Sequence, residues 1–153
     1  MRPQVPWPWA AARRAPAAGP WRCVLLVLHP DDAGIPLAGL EVACRLVPPG
    51  GVLHALAPVC LPLAVALEAP AGEETVPAAD LLEQVERLAG ERGVAVQAAL
   101  ARGRAVRSMV REAIGRTGAD LVVLEGGVER LALLAQEPLP AQTVLVPRRR
   151  EGI

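Results

Sequence analysis

Residues 101–127 read Ala-Arg-Gly-Arg-Ala-Val-Arg-Ser-Met-Val-Arg-Glu-Ala-Ile-Gly-Arg-Thr-Gly-Ala-Asp-Leu-Val-Val-Leu-Glu-Gly-Gly. This stretch decides the fold class. Its Gly103 turn leads into an amphipathic helix over 104–117, on which Val106, Met109, Val110 and Ala113 line one side. Gly118 is the stop. Leu121 to Leu124 then form a continuous apolar run. Such a run fits a strand covered on both faces, as in a parallel sheet flanked by helices. Gly126-Gly127 is a glycine-rich exit at the carboxyl end of that strand. In open α/β sheets, ligands bind at such ends.

The same alternation extends in both directions. Arg22 to Leu28 is an apolar first strand. Leu37, Leu40, Val42, Ala43 and Leu46 follow with helical spacing, and Pro48-Pro49-Gly50-Gly51 is their stop. Val52 to Val59 is the second strand, and Cys60 to Val76 a long connection containing several prolines. Asp80 to Arg92 is a helix with Leu81, Leu82, Val85 and Leu88 on one face. Val94 to Ala101 is the third strand, Val128 to Gln136 a short helix, and Thr143 to Val146 the fifth strand. Strands alternating with helices imply a single-domain, doubly wound, five-stranded parallel α/β sheet with right-handed crossovers.

The 153 residues suit one domain, here 21–147. A chain of this size buries roughly 70% of its unfolded surface. Aromatic residues make up only 2%, with three Trp and no Phe or Tyr, so Leu, Val, Ala and Ile must build the core. Residues 1–20 form an arm rich in Pro, Ala and Arg. Its Trp7 and Trp9 are costly to leave in water, so packing on the domain or on a partner is expected. Residues 148–153 are an Arg-rich tail. The net charge is zero, which gives no field to attract nucleic acid or an anionic membrane. Cys23, Cys44 and Cys60 contain no CxxC pair, so neither a disulfide framework nor a zinc ribbon is suggested. No apolar stretch near residue 1 is long enough for a signal peptide or a membrane span. A cytoplasmic setting is the expectation.

Gly103, Val110 and the run Ala119-Asp120-Leu121-Val122-Val123 fill a pattern of glycine, apolar helix and Ala-Asp-Leu-Ile-Val strand. In this the chain resembles the universal stress protein family. Asp31 after the first strand, and Gly39-Leu40-Glu41-Val42-Ala43 in the following helix, stand in corresponding places. The resemblance covers about 22–147. It implies a Rossmann-like or flavodoxin-like sheet of order 3-2-1-4-5, and a homodimer through the last strand (Thr143, Val144, Leu145, Val146). Some members bind ATP through a Gly-x-x-Gly loop that is followed, about nine residues on, by Gly-Ser or Gly-Thr. Backbone amides of such a loop cradle phosphates. Here Val128-Glu129-Arg130-Leu131 follow Gly126-Gly127, with no second glycine pair and no Ser or Thr before Thr143. Glu125 and Glu129 would repel a triphosphate. The resemblance thus implies a stress-response domain with a degenerate ATP site. A small ligand or a protein partner is expected, and no catalysis.

The other conspicuous motif is His29-Pro30-Asp31-Asp32. It resembles a signature of zinc-dependent N-acetylglucosaminyl deacetylases. Carried over, His29 and Asp32 would ligate zinc and Asp31 would act as base, a sound chemistry because zinc makes bound water acidic. A second histidine ligand is needed, and the other histidine, His54, stands near the start of the second strand. Cys60 is the alternative third ligand. The competing expectation is that Asp31 or Asp32 caps the next helix. Ser108 is read as a polar filler, and Asp120 as capping amides near Gly118. The candidate ligand-binding set is therefore His29, Asp31, Asp32, Ala57, Gly126 and Gly127, with no metal ligand assigned in the leading reading.

Overall fold

The computed structural model describes residues 21–29, 37–126 and 139–147. Five strands form one sheet in the order β3-β2-β1-β4-β5, all pairs parallel. These are β1 (Val24–Val27), β2 (Val52–Cys60), β3 (Ala95–Gly103), β4 (Leu121–Gly126) and β5 (Gln142–Pro147). Three described helices cover it: α1 (Leu37–Leu46), α2 (Val76–Glu91) and α3 (Val106–Thr117). The expected order 3-2-1-4-5 is the observed one. The arm, the tail and the expected helix 128–136 lie outside the described residues.

Alternation along each strand divides the core into two layers. On one face Val24, Leu26, Leu28, Ala55, Ala57, Leu121 and Val123 pack with Leu40 and Ala43 of α1 and Val85 of α2. On the other, Leu25, Val27, Leu56, Val122 and Leu124 pack with Val110 and Ile114 of α3. β1 and β4 are buried along their whole length, as continuous apolar runs in a parallel sheet should be.

Several boundaries differ from the sequence expectation, three of them with a clear physical cause. α2 begins at Val76 rather than Asp80. A 3-10 turn over Glu73–Thr75 leads into it, and Pro77 sits in the first turn, where a missing N–H costs no intrahelical bond. β3 runs on to Gly103, because the ladder with β2 continues to Cys60 and the Leu61 amide then donates to the Gly103 carbonyl at 2.8 Å. α3 therefore begins at Val106 rather than Arg104. It ends at Gly118, whose φ of 73° lies in the left-handed region and whose amide reaches the Ile114 carbonyl. That is the stop expected of a glycine there.

Asp120 joins the sheet at its amino edge. Its carboxylate accepts from the Arg22 amide at 2.9 Å and the Cys23 amide at 2.9 Å. Its own amide donates to the Cys23 carbonyl, and its carbonyl accepts from Gln142. The expected capping near Gly118 is corrected on this point. The Ala119 amide is met by the Thr117 hydroxyl oxygen, leaving the Asp120 carboxylate for the two residues that lead into β1. Among the described residues no helix is long and apolar enough to cross a membrane.

Candidate functional site

The sheet changes winding direction between β1 and β4, so the crevice beyond their carboxyl ends is the expected place for a ligand. The register pairs Val27 with both Leu56 and Leu124. One step further along, Leu28, Ala57 and Glu125 stand in one row across the sheet. α1 lies over β1 and β4, and its first turn opens beside this row.

Glu125 is 5% exposed. A carboxylate in that position needs donors, because burying a charge without them is costly. One donor is the Gly39 amide, 3.0 Å from Oε2. Gly39 is the third residue of α1, where backbone amides have no partner within the helix and carry the positive end of its dipole. The approach is close. A β-carbon at position 39 would stand 2.7 Å from Oε2 and 2.9 Å from the Glu125 β-carbon. Glycine at 39 is what allows the carboxylate in. The aspartates were expected to cap this helix; at Gly39 the acceptor is Glu125, reached from another strand. The sequence reading saw Glu125 only as a charge facing a ligand, since nothing local pairs positions 86 residues apart.

The other candidates fall as follows. His29 is buried just past β1, at 7% exposure. Ala57 is wholly enclosed in the core. Gly126 ends β4 and pairs with Pro147. His29 and Gly126 thus share the carboxyl edge of β1 and β4. Asp31, Asp32 and Gly127 lie outside the described residues.

Two arginines at the end of β3, unremarked in the sequence, hold the connection from β2 to α2. Arg102 donates to the Ala69 carbonyl at 2.5 Å and to Glu74 at 3.1 Å. Arg104 donates to the carbonyls of Leu61, Pro62 and Val65. Planar guanidinium groups with several donors suit such multiple acceptance. Hydrogen bonds from its own backbone amide and from that of Gly72, together with the charge and hydrogen bond of Arg102, hold the Glu74 carboxyl below its usual range.

Metal chemistry finds little support in the geometry. His54 pairs with Leu25, four residues before His29. At about 3.3 Å per residue this separates the two by roughly 13 Å along the strands, against about 2 Å for a zinc–nitrogen bond. Among the described residues no group of three or more His, Cys, Asp or Glu could hold a metal ion. Cys60 is exposed at the end of β2. Burial pushes the Cys23 and Cys44 thiols up. Cys44 lines a shallow groove of about 270 Å³ with Glu41, Arg45, Arg92 and Val94, by the amino end of β3. Arg92 and Glu41 bridge it at 2.9 Å, and the hydrogen bond from Arg92 holds the Glu41 carboxyl low.

No family model and no curated protein matches the sequence. Solved structures do match by fold. A universal stress protein in complex with cAMP aligns with a TM-score of 0.60 and 14% identity, over 83% of this chain and 97% of that one. The universal stress protein from Archaeoglobus fulgidus in complex with dAMP aligns with a TM-score of 0.60 and 13% identity, over 81% and 96%. A universal stress family protein from Burkholderia pseudomallei reaches 20% identity at a TM-score of 0.51, over 82% and 96%. The expected kinship is met at the level of architecture: the chain has the fold of the universal stress proteins.

Proposed function

We propose that this chain is a divergent universal-stress-type domain that binds a small ligand or a protein partner between the carboxyl ends of β1 and β4, without catalysis. The observation that carries this reading is the winding reversal at β1 and β4, with the start of α1 opening beside it. The likeness to structures holding cAMP and dAMP directs attention to adenine compounds as the ligand class. The sequence after Gly126-Gly127 lacks the second glycine pair and the Ser or Thr of the ATP-binding pattern, and the amide of Gly39 in α1 is engaged by the Glu125 carboxylate. We therefore take the nucleotide site as degenerate, with no firm cofactor and ATP as the candidate that titration tests. Ser108 is exposed on α3, and the two histidines stand too far apart to act together. A homodimer through Thr143 to Val146 belongs to the same proposal; among the described residues β5 pairs with β4 alone, and its Leu145 is 41% exposed. So do a role in stress response, a cytoplasmic setting, and a partner contact through Trp7 and Trp9.

Calorimetric titration with adenosine, cAMP, dAMP and ATP–Mg²⁺, paired with thermal shift, tests the ligand. Adenosine should bind, and added phosphates should give no further affinity. Heat-silent titrations without a thermal shift at millimolar ligand would remove the small-ligand half of the reading. Light scattering of wild type and Leu145→Arg tests the dimer, which the variant should dissociate.

A further inference from the structure

We propose that β3 is a self-association edge, along which two copies of this chain join antiparallel about a two-fold axis through Ala98. This contact lies at the opposite edge of the sheet from β5 and does not depend on the ligand site. β3 is the outer strand beside β2, and among the described residues no strand pairs with its other side. It is nine residues long, and its ladder with β2 runs unbroken from Ala95 to Gly103. Natural proteins blunt long edges with charges, proline or a bulge. The run Ala95-Val96-Gln97-Ala98-Ala99-Leu100-Ala101 carries none of these. Gln97, Ala98 and Ala99 are exposed.

One bond fixes which backbone groups face outward. The Gly103 carbonyl accepts from the Leu61 amide, so it points to the β2 side. Successive residues of a strand turn their backbone groups to opposite sides. Ala101, Ala99, Gln97 and Ala95 therefore serve β2, while Leu100, Ala98 and Val96 present N–H and C=O outward. An axis through Ala98 sets that residue against its own copy and Val96 against Leu100. All of these face outward, so each opposed pair exchanges two N–H···O bonds. Val96 and Leu100 are both partly buried against the core layer that α2 covers, so an apolar side chain meets an apolar one there. On the other face Gln97 opposes Ala99, and Ala95 opposes Ala101. Charge selects a second copy as the occupant. No like charges meet across the axis, and the chain as a whole is neutral, so two copies do not repel. The next charge, Arg102, falls opposite Val94 and is already held by Ala69 and Glu74. The contact is isologous and closes on itself.

Light scattering over a concentration series tests it on full-length Leu145→Arg, a background that removes the β5 contact. This protein should be monomeric when dilute and dimeric when concentrated. Ala98→Lys puts two like charges across the axis, and Ala98→Pro removes an outward N–H that β2 does not use. Each should weaken the association by about fivefold or more. Association that ignores both variants would overturn the proposal, as would a Leu145→Arg protein that stays monomeric throughout. A second readout uses wild type alone, so a variant that fails to fold does not leave the matter open. In amide hydrogen exchange, Val96, Ala98 and Leu100 should gain protection as concentration rises, while Gln97 and Ala99 stay protected at every concentration. Rapid exchange of the outward amides at all concentrations would overturn the proposal. Their protection at all concentrations would overturn it equally, since another segment of the same chain would then cover the edge.

Discussion

Replacing Asp120 by alanine removes one acceptor that serves two amides just before β1 at once. The Cys23 amide is partly buried and loses a charge-assisted bond of 2.9 Å. Such bonds contribute about 1.5–3 kcal/mol net. The Arg22 amide is exposed, so water replaces most of what it loses and only a few tenths of a kcal/mol are expected there. The sum is about 2 kcal/mol. For a chain of this length each kcal/mol lowers Tm by about 2–4 °C, so Asp120→Ala should melt about 4–8 °C below wild type. Asp120→Asn keeps one carbonyl oxygen at nearly the same place and loses the charge. It should cost about half as much, roughly 1 kcal/mol. Urea denaturation at pH 7 followed by circular dichroism gives both values, with equal m-values expected for all three proteins. An alanine variant within 0.5 kcal/mol of wild type would refute the argument. So would an asparagine variant as unstable as the alanine one, which would show that charge rather than acceptance holds the junction.

Four further outcomes follow from the same kind of reasoning. A β-carbon at Gly115, in the body of α3, meets nothing within 4 Å, so Gly115→Ala should stabilise by up to about 1 kcal/mol through helix propensity alone; a loss measured by denaturation would contradict the open space. Arg102→Ala frees Ala69 and Glu74, so proteolysis by a Glu-specific protease after Glu68 should accelerate while global stability falls by no more than about 1–2 kcal/mol; unchanged cleavage would show that Arg104 suffices. At pH 8 a disulfide reagent should label Cys60 first, because it is exposed, and Cys60→Ser should abolish the fast phase. Burial keeps Cys23 and Cys44 protonated to higher pH than in the unfolded chain, so their contribution to stability is complete below the ordinary thiol range and is lost as pH climbs through it; denaturation at pH 8 and pH 10, compared with a Cys23→Ala/Cys44→Ala variant, checks the sign.

The strands and helices were legible because their signals are local. The apolar run 121–124, the helical stripe of Val106, Met109 and Val110, and the stop at Gly118 each depend on neighbours in sequence. Only the boundaries moved. Pro77 obscured the start of α2, and the β2–β3 ladder carried β3 past Ala101. What escaped the sequence was pairing between distant positions. Glu125 with Gly39, Asp120 with Cys23, and Arg104 with Val65 are each separated by tens of residues. No periodicity encodes them, and each became visible only once the sheet order brought its members together. His29 and Gly126 were foreseen at the same edge because strand ends follow from topology alone. His54 could be set apart from His29 for the same reason, by counting residues along paired strands.

Gly39 and Glu125 also constrain the routes by which this protein can change. While the glutamate is present, any side chain at 39 collides with it, so position 39 is locked. A smaller residue at 125 unlocks it. Alanine then becomes the better choice at 39, since it strengthens the helix by about 1 kcal/mol. After that step the glutamate has no room to return. The pair works as a molecular ratchet: the order of two substitutions, and not only their sum, decides which proteins are reachable from this one.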